Sequence, residues 1–168
     1  VAPLKPDPDR YEHKYEHCDV LVVGSGPSGL ASSLAAAKNG AKVILAEDKP
    51  RFGGSLLVDE VTIGNKKGKE WSDEVITELK SMPNVIVKNR SQVFGYYDHN
   101  MMVMFERVKD HLQNPKKYTP RQRLWYIRAK ETIICTGSIE RPLVFGNNDR
   151  PGIMLASAAK EYIKLYGV

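Results

Sequence analysis

The chain has 168 residues, 42% of them hydrophobic, and a formal net charge of +5. That is one domain's length with enough apolar content to bury a core, which excludes an intrinsically disordered protein. No run approaches the ~18 apolar residues of a membrane span, and Val1 to Arg10 lacks the apolar centre of a secretory signal, so a cytoplasmic protein without a membrane partner is expected.

Residues 1–17 carry three prolines and many charges, which predicts an extended linker leading into a domain over 18–168. A chain that opens on a linker is expected to be a fragment of a larger subunit. From Cys18 to Val23 the sequence turns apolar, with β-branched residues or leucine from Val20 onward, as in a central parallel strand covered on both faces. It stops at Gly24-Ser25-Gly26-Pro27-Ser28-Gly29. In such a loop the first glycine allows a tight turn, the second lets backbone approach a pyrophosphate, and the third lets a helix pack closely on the strand. Pro27 suits the first turn of that helix. The unpaired N–H groups and positive dipole end there favour an anion.

Leu30 to Lys38 continues as an alanine-rich helix ended by Asn39-Gly40, and Lys42 to Ala46 is a second apolar strand. Glu47 closes that strand 18 positions after Gly29, close to the spacing of about 20 at which a carboxylate meets a ribose hydroxyl. Asp48 follows, and then Gly53-Gly54-Ser55, a second turn whose N–H groups can face a ligand without a side chain in the way. Strand, turn, helix, strand and acid occur in register, and together they predict a dinucleotide site.

Beyond it, Lys67 to Met82 predicts an amphipathic helix with Trp71, Val75, Ile76, Leu79 and Met82 on one stripe, and Val85 to Lys88 a third parallel strand. Gln92 to Tyr97, Met101 to Val108 and Leu124 to Arg128 alternate around two turns, which predicts an inserted antiparallel three-stranded flap. Lys130 to Gly137 reads as a fourth parallel strand whose Thr136-Gly137 end lies at the same carboxyl edge as Gly24 and Glu47. Residues 138–152 are irregular, and Ile153 to Tyr166 is expected as a helix. The fold class is therefore α/β, a Rossmann-like parallel sheet flanked by helices with that flap inserted.

Between Arg107 and Lys130 stand eight basic residues and a single acid, Asp110. The excess charge is thus local. A solvated loop or subunit contact is expected there, and nucleic acid is not the expected partner, because no nucleic-acid motif accompanies the charge. Cys18 and Cys135 lack metal or redox spacing and are expected as small core residues. His13, His17, His99 and His111 fall on linker or flap, so no catalytic group and no metal site is expected.

The order of Gly24-x-Gly26-x-x-Gly29, Glu47 with Gly53-Gly54, and a strand ending in Thr136-Gly137 resembles the first nucleotide domain of the glutathione-reductase-like flavoprotein superfamily. The segments Tyr15 to Gly24, Gly53 to Leu57, Ile139 to Phe145 and Asn147 to Ser157 resemble, more narrowly, the alpha-subunit family of heterotetrameric sarcosine oxidases. That resemblance implies a complex with beta, gamma and delta subunits, in which the beta subunit holds an FAD where sarcosine is oxidised. It also implies an FMN at the alpha/beta interface and reduction of oxygen to peroxide. The alpha subunit would hold NAD in the present cleft, with FAD as the alternative, and tetrahydrofolate would bind a later region absent here. Gly24, Gly26 and Gly29 would cradle the pyrophosphate, Glu47 would take the adenosine ribose, and Gly53 to Ser55 with Thr136 and Gly137 would line the cleft. Ser25 and Ser28 stand where the family often has Gly and Ala. An opine, proline or hydroxyproline dehydrogenase alpha subunit, with FAD or ATP in this cleft, remains a second implied reading, and a nucleic-acid module a third.

Overall fold

The apolar run before Gly24 becomes an inner strand because neighbours on both sides and layers on both faces take it out of water. The computed structural model describes residues 5–168. Its elements are β1 (Tyr11–Val23), α1 (Pro27–Lys38), β2 (Val43–Ala46), a 3-10 turn (Gly54–Leu57), a small hairpin of β3 (Thr62–Ile63) and β4 (Lys66–Lys67), α2 (Gly68–Ser81), β5 (Val85–Lys88), β6 (Ser91–Tyr97), β7 (Met101–Arg107), β8 (Gln122–Ile134) and α3 (Ala156–Tyr166). Six strands form one sheet in the order β5-β2-β1-β8-β7-β6. The first four run parallel, and β7 and β6 are antiparallel.

One face of the sheet packs on helices. Val22, Val43 and Leu45 meet Leu30 and Ala37 of α1 and Val75, Ile76 and Leu79 of α2. These three α2 residues belong to the predicted stripe and are buried. The other face is covered by the antiparallel strands, with Leu21, Ile44 and Ala46 packing on Met102, Met104, Trp125 and Ile127. Each large side chain so enclosed contributes roughly 1.5–3 kcal/mol by leaving water. Twist lets one sheet do this, because β6 and β7 curl back over the parallel half.

The predicted parallel strands, flanking helices and antiparallel strands are all present, with three differences in detail. First, residues 11–17, which prolines and charges assign to a linker, are the first half of β1. The register with β8 runs from Tyr11 opposite Gln122 to Val23 opposite Ile134. Their pattern has period two: Lys14 lies over the Trp125 ring at 4.4 Å on one face, while Tyr15 stacks on Tyr126 at 5.0 Å on the other. Second, the third flap strand and the returning parallel strand are one element, β8. The flap is therefore continuous with the sheet rather than set into it. Third, the last helix starts at Ala156, and none of its residues is buried.

Half of the eight basic residues between Arg107 and Lys130 are paired with acids of the chain. Lys109 and Arg121 pair with Asp9, Arg121 also with Asp110, Arg123 with Glu12 and Glu106, and Lys130 with Asp19. Three of those acids, Asp9, Glu12 and Asp19, precede β2 in the sequence, so charge counted along the local stretch misses them. Trp125 is core, at 1% exposure. No helix among the described residues is long and apolar enough to cross a membrane.

Candidate functional site

At the carboxyl edge of the parallel strands, three glycines are needed for three different reasons. Gly24 has φ +99° and donates its N–H to Ala46 O at 2.8 Å. A Cβ there would lie 2.4 Å from the carbonyl oxygen of Cys135. Gly29 is excluded from carrying a side chain by Gly24 itself. Gly26 differs from both: its φ of −66° suits any residue, and a Cβ there would meet nothing within 4 Å. Open space in front of unobstructed backbone is what an approaching phosphate requires.

Behind Gly26 begins α1, with Pro27 at its N-terminus, no capping side chain and no acid in its first turn. Its first N–H groups therefore have no side-chain acceptor, and they present the positive dipole end to the same open space. Pro27 and Ser28 are exposed there. This combination fits an anionic pyrophosphate, and no residue of the loop opposes it with a negative charge.

Glu47 follows β2, buried at 6% exposure. Its Oε2 accepts the Ser25 N–H at 2.9 Å and the Ser25 hydroxyl, and its Oε1 accepts the Lys49 N–H at 2.9 Å. Burial pushes its carboxyl above the ordinary range, and neighbouring Asp48 adds to that, while the bonds from Ser25 and Lys49 oppose it. The sequence pattern takes Glu47 as an open acceptor. Here the carboxylate also fastens the Gly24–Gly29 turn to the end of β2.

Ser25 is fully buried and joins the two glycine turns. Gly53 donates its N–H to Ser25 O at 3.0 Å, with Ser25 Oγ at 3.3 Å. Gly54 is so close that a Cβ would come 2.9 Å from the Gly26 Cα. Thr136 lies beside Gly24, and Cys135 donates its N–H to Val23 O at 2.7 Å. The fold thus brings Gly24, Ser25, Gly26, Gly29, Glu47, Gly53, Gly54 and Thr136 together. Asp48, Ser55 and Gly137 flank the group and are exposed.

The Ser25–Glu47 link and the seat of Cys135 beneath the loop are not evident from spacing. Nothing in a local pattern tells which way a loop serine turns. Two grooves of about 530 and 540 Å³ lie against α2 and do not include the loop. Among the described residues, no group of three His, Cys, Asp or Glu could hold a metal ion.

The model of a family described as FAD dependent oxidoreductase matches residues 19–129. Sarcosine oxidase subunit alpha of Rhizobium meliloti (strain 1021) is 47% identical over 167 residues, covering 99% of this chain and 17% of that protein. The same subunit of Corynebacterium sp. (strain P-1) is 42% identical over 164 residues, covering 96% of this chain and 17% of that protein. The resemblance drawn from short segments thus extends over nearly the whole chain, which spans about a sixth of the length of these curated relatives. The crystal structure of an L-proline dehydrogenase from P. horikoshii matches with a TM-score of 0.74 and 22% identity, over 94% of this chain and 30% of that one. That is a likeness of fold.

Proposed function

The chain belongs to the FAD dependent oxidoreductase family, and on that premise we propose that residues 11–168, from the start of β1 onward, form a dinucleotide-binding unit of an amine-oxidising alpha subunit. The observation that carries the reading is the pairing of an uncapped α1 N-terminus with the open space at Gly26. Gly24, Ser25, Gly26, Pro27, Ser28 and Gly29 hold the pyrophosphate. Glu47, with Asp48 beside it, receives the adenosine ribose. Gly53, Gly54 and Ser55 close one side, and Thr136 and Gly137 line the other. When bound, a dinucleotide supplies hydride- or electron-transfer chemistry. The residues of this chain bind and orient it, and none is assigned as an acid, base or nucleophile.

The proposed ligand is NAD, as the resemblance to sarcosine oxidase alpha subunits implies. FAD is the second reading, favoured by the family whose model matches. Both share the adenosine diphosphate half, which is the part this loop addresses. The wider proposal is a cytoplasmic heterotetramer with beta, gamma and delta subunits. It would oxidatively demethylate sarcosine with oxygen and tetrahydrofolate to glycine, peroxide and a one-carbon folate, with FMN and a second FAD bound elsewhere in the complex. The test is to release the ligand from purified protein by denaturation and record its absorption. A flavin band in the visible would replace NAD by FAD, and absorption confined to the ultraviolet with the mass of NAD would support the first choice. Purified chain that carries no nucleotide and binds neither NAD nor FAD in a titration would overturn the dinucleotide reading itself.

A further inference from the structure

The two grooves against α2 differ in charge. In the one beside α1 and the β3-β4 hairpin, the acids Glu74 and Glu78 are each answered by a cation of the chain, Lys66 and Lys38. The other runs between α2, α3 and the loop after β2, and encloses about 540 Å³. Its floor is apolar: Ile76 is buried, and Phe52, Leu57 and Leu165 are partly so. Four exposed cations and a single acid, Asp73, stand around that floor. Lys69 is taken by Asp73, and Lys164 by Glu60. Arg51 and Lys80 remain, and neither pairs with an acid among the described residues. Lys80 lies over the Phe52 ring at 5.3 Å, which holds its charge at the margin of the apolar surface.

Two unanswered cations beside an apolar floor complement one kind of molecule, an anion with an apolar body. A bare inorganic anion would leave the floor in water, a neutral hydrocarbon would leave the cations unanswered, and a cation would be repelled. The volume lies within the range of about 300–1,000 Å³ usual for small-molecule sites. We propose that this groove is a second ligand site, for an amphipathic monocarboxylate such as a medium-chain acyl anion. The tail lies along Phe52, Leu57, Ile76 and Leu165, and the carboxylate turns toward Arg51 and Lys80. None of these residues belongs to the dinucleotide cleft, so the proposal stands apart from the nucleotide reading. One wall of the groove comes from α3, which has no buried residue of its own. Occupancy therefore joins that helix to α2.

The experiment is a proton–nitrogen NMR titration of the 168-residue chain with octanoate, repeated with octanol and octylammonium. Octanoate should give saturable shifts centred on 51–57, 76–80 and 164–165, and the α3 amides should exchange more slowly in its presence. Exposed charge pairs each change an equilibrium by up to about fivefold. Octanol should accordingly bind the same residues about fivefold more weakly, and octylammonium weaker still. Arg51→Gln combined with Lys80→Gln should weaken octanoate by about fivefold and leave octanol unchanged. Both side chains are exposed, so the double variant retains the fold. Shifts centred on Gly24 to Gly29, no saturable shifts at all, or octanol bound as tightly as octanoate would each overturn the proposal. So would unaltered octanoate affinity in the double variant, or α3 exchange that octanoate does not slow.

Discussion

A Cβ on Gly29 would stand 1.9 Å from the carbonyl oxygen of Gly24, so the turn after β1 and the start of α1 meet backbone to backbone. No rotation relieves a clash between a Cβ and a carbonyl. Gly29→Ala should therefore lower stability by about 1–3 kcal/mol or prevent folding, read as a drop in the thermal midpoint. Gly26→Ala should melt like the wild type, because its Cβ meets nothing, and lose nucleotide affinity. Unchanged nucleotide binding in Gly26→Ala would mean that the open space holds no phosphate.

The two buried carboxylates should respond to pH in opposite directions. Glu47 is raised above its ordinary value of 4.5 by burial, so the native state holds that proton more tightly than the unfolded chain. Its contribution is fully present below that ordinary value and is lost as pH rises through the folded value. Replacing it by Gln removes this slope. The stability of the wild type relative to Glu47→Gln should fall with rising pH across that window, measured by denaturant unfolding at several pH values. A difference independent of pH would show that the carboxyl titrates alike in both states.

Glu106 is the reverse case. Burial alone would raise its carboxyl, but the charge of Lys88, the Trp125 Nε1–H, a bond from Lys88 and the charge of Arg123 together hold it below 4.5. Its contribution is present above the unfolded value and lost as pH falls through the folded one. Glu106→Gln should cost about 1–3 kcal/mol at neutral pH, because a buried indole N–H at 2.6 Å and two cations lose their charged partner. The deficit should shrink in acid. Tryptophan fluorescence, which reports on buried Trp125, follows the transition directly, and a deficit that stays constant into acid would contradict the assignment.

Much of this fold was legible because its signals are local. The Gly24 to Gly29 spacing, the α2 stripe and the apolar runs of β2 and β5 each state their element within a few residues. The 11–17 strand was not, because its alternation of aromatic and charged residues makes sense only with β8 alongside. The same holds for the basic stretch: Arg123 is matched by Glu12, which lies in another strand. Within the site, the residue set follows from spacing. The inward turn of Ser25 does not, since it depends on where the fold buries Glu47.

Helix α3 offers a prediction about motion. None of its residues is buried, and it is tied down by ion pairs of Lys49 with Glu161, Lys160 with Asp59 and Lys164 with Glu60. Exposed pairs of this kind each contribute about 0–1 kcal/mol. Amide hydrogens of 156–166 should exchange well before those of α1 and α2 in mass-spectrometric hydrogen exchange, and faster still at high salt. Protection equal to that of α2 would point to a partner on its Tyr162 and Ile163 side, which is exposed here.

Strand β8 bonds to β1 on one side and to β7 on the other, and this has a consequence for synthesis. A ribosome delivers β1, β2 and β5 with both covering helices first, then the β6-β7 pair, and only afterwards the strand that joins them. Until then β1 and β7 each present an unpaired row of backbone donors and acceptors, the kind of edge onto which foreign strands add. The joining step must also close the long loop between β1 and β8, which is slow on entropic grounds. The nascent chain is therefore most exposed to misassembly in the interval between the emergence of β7 and that of β8.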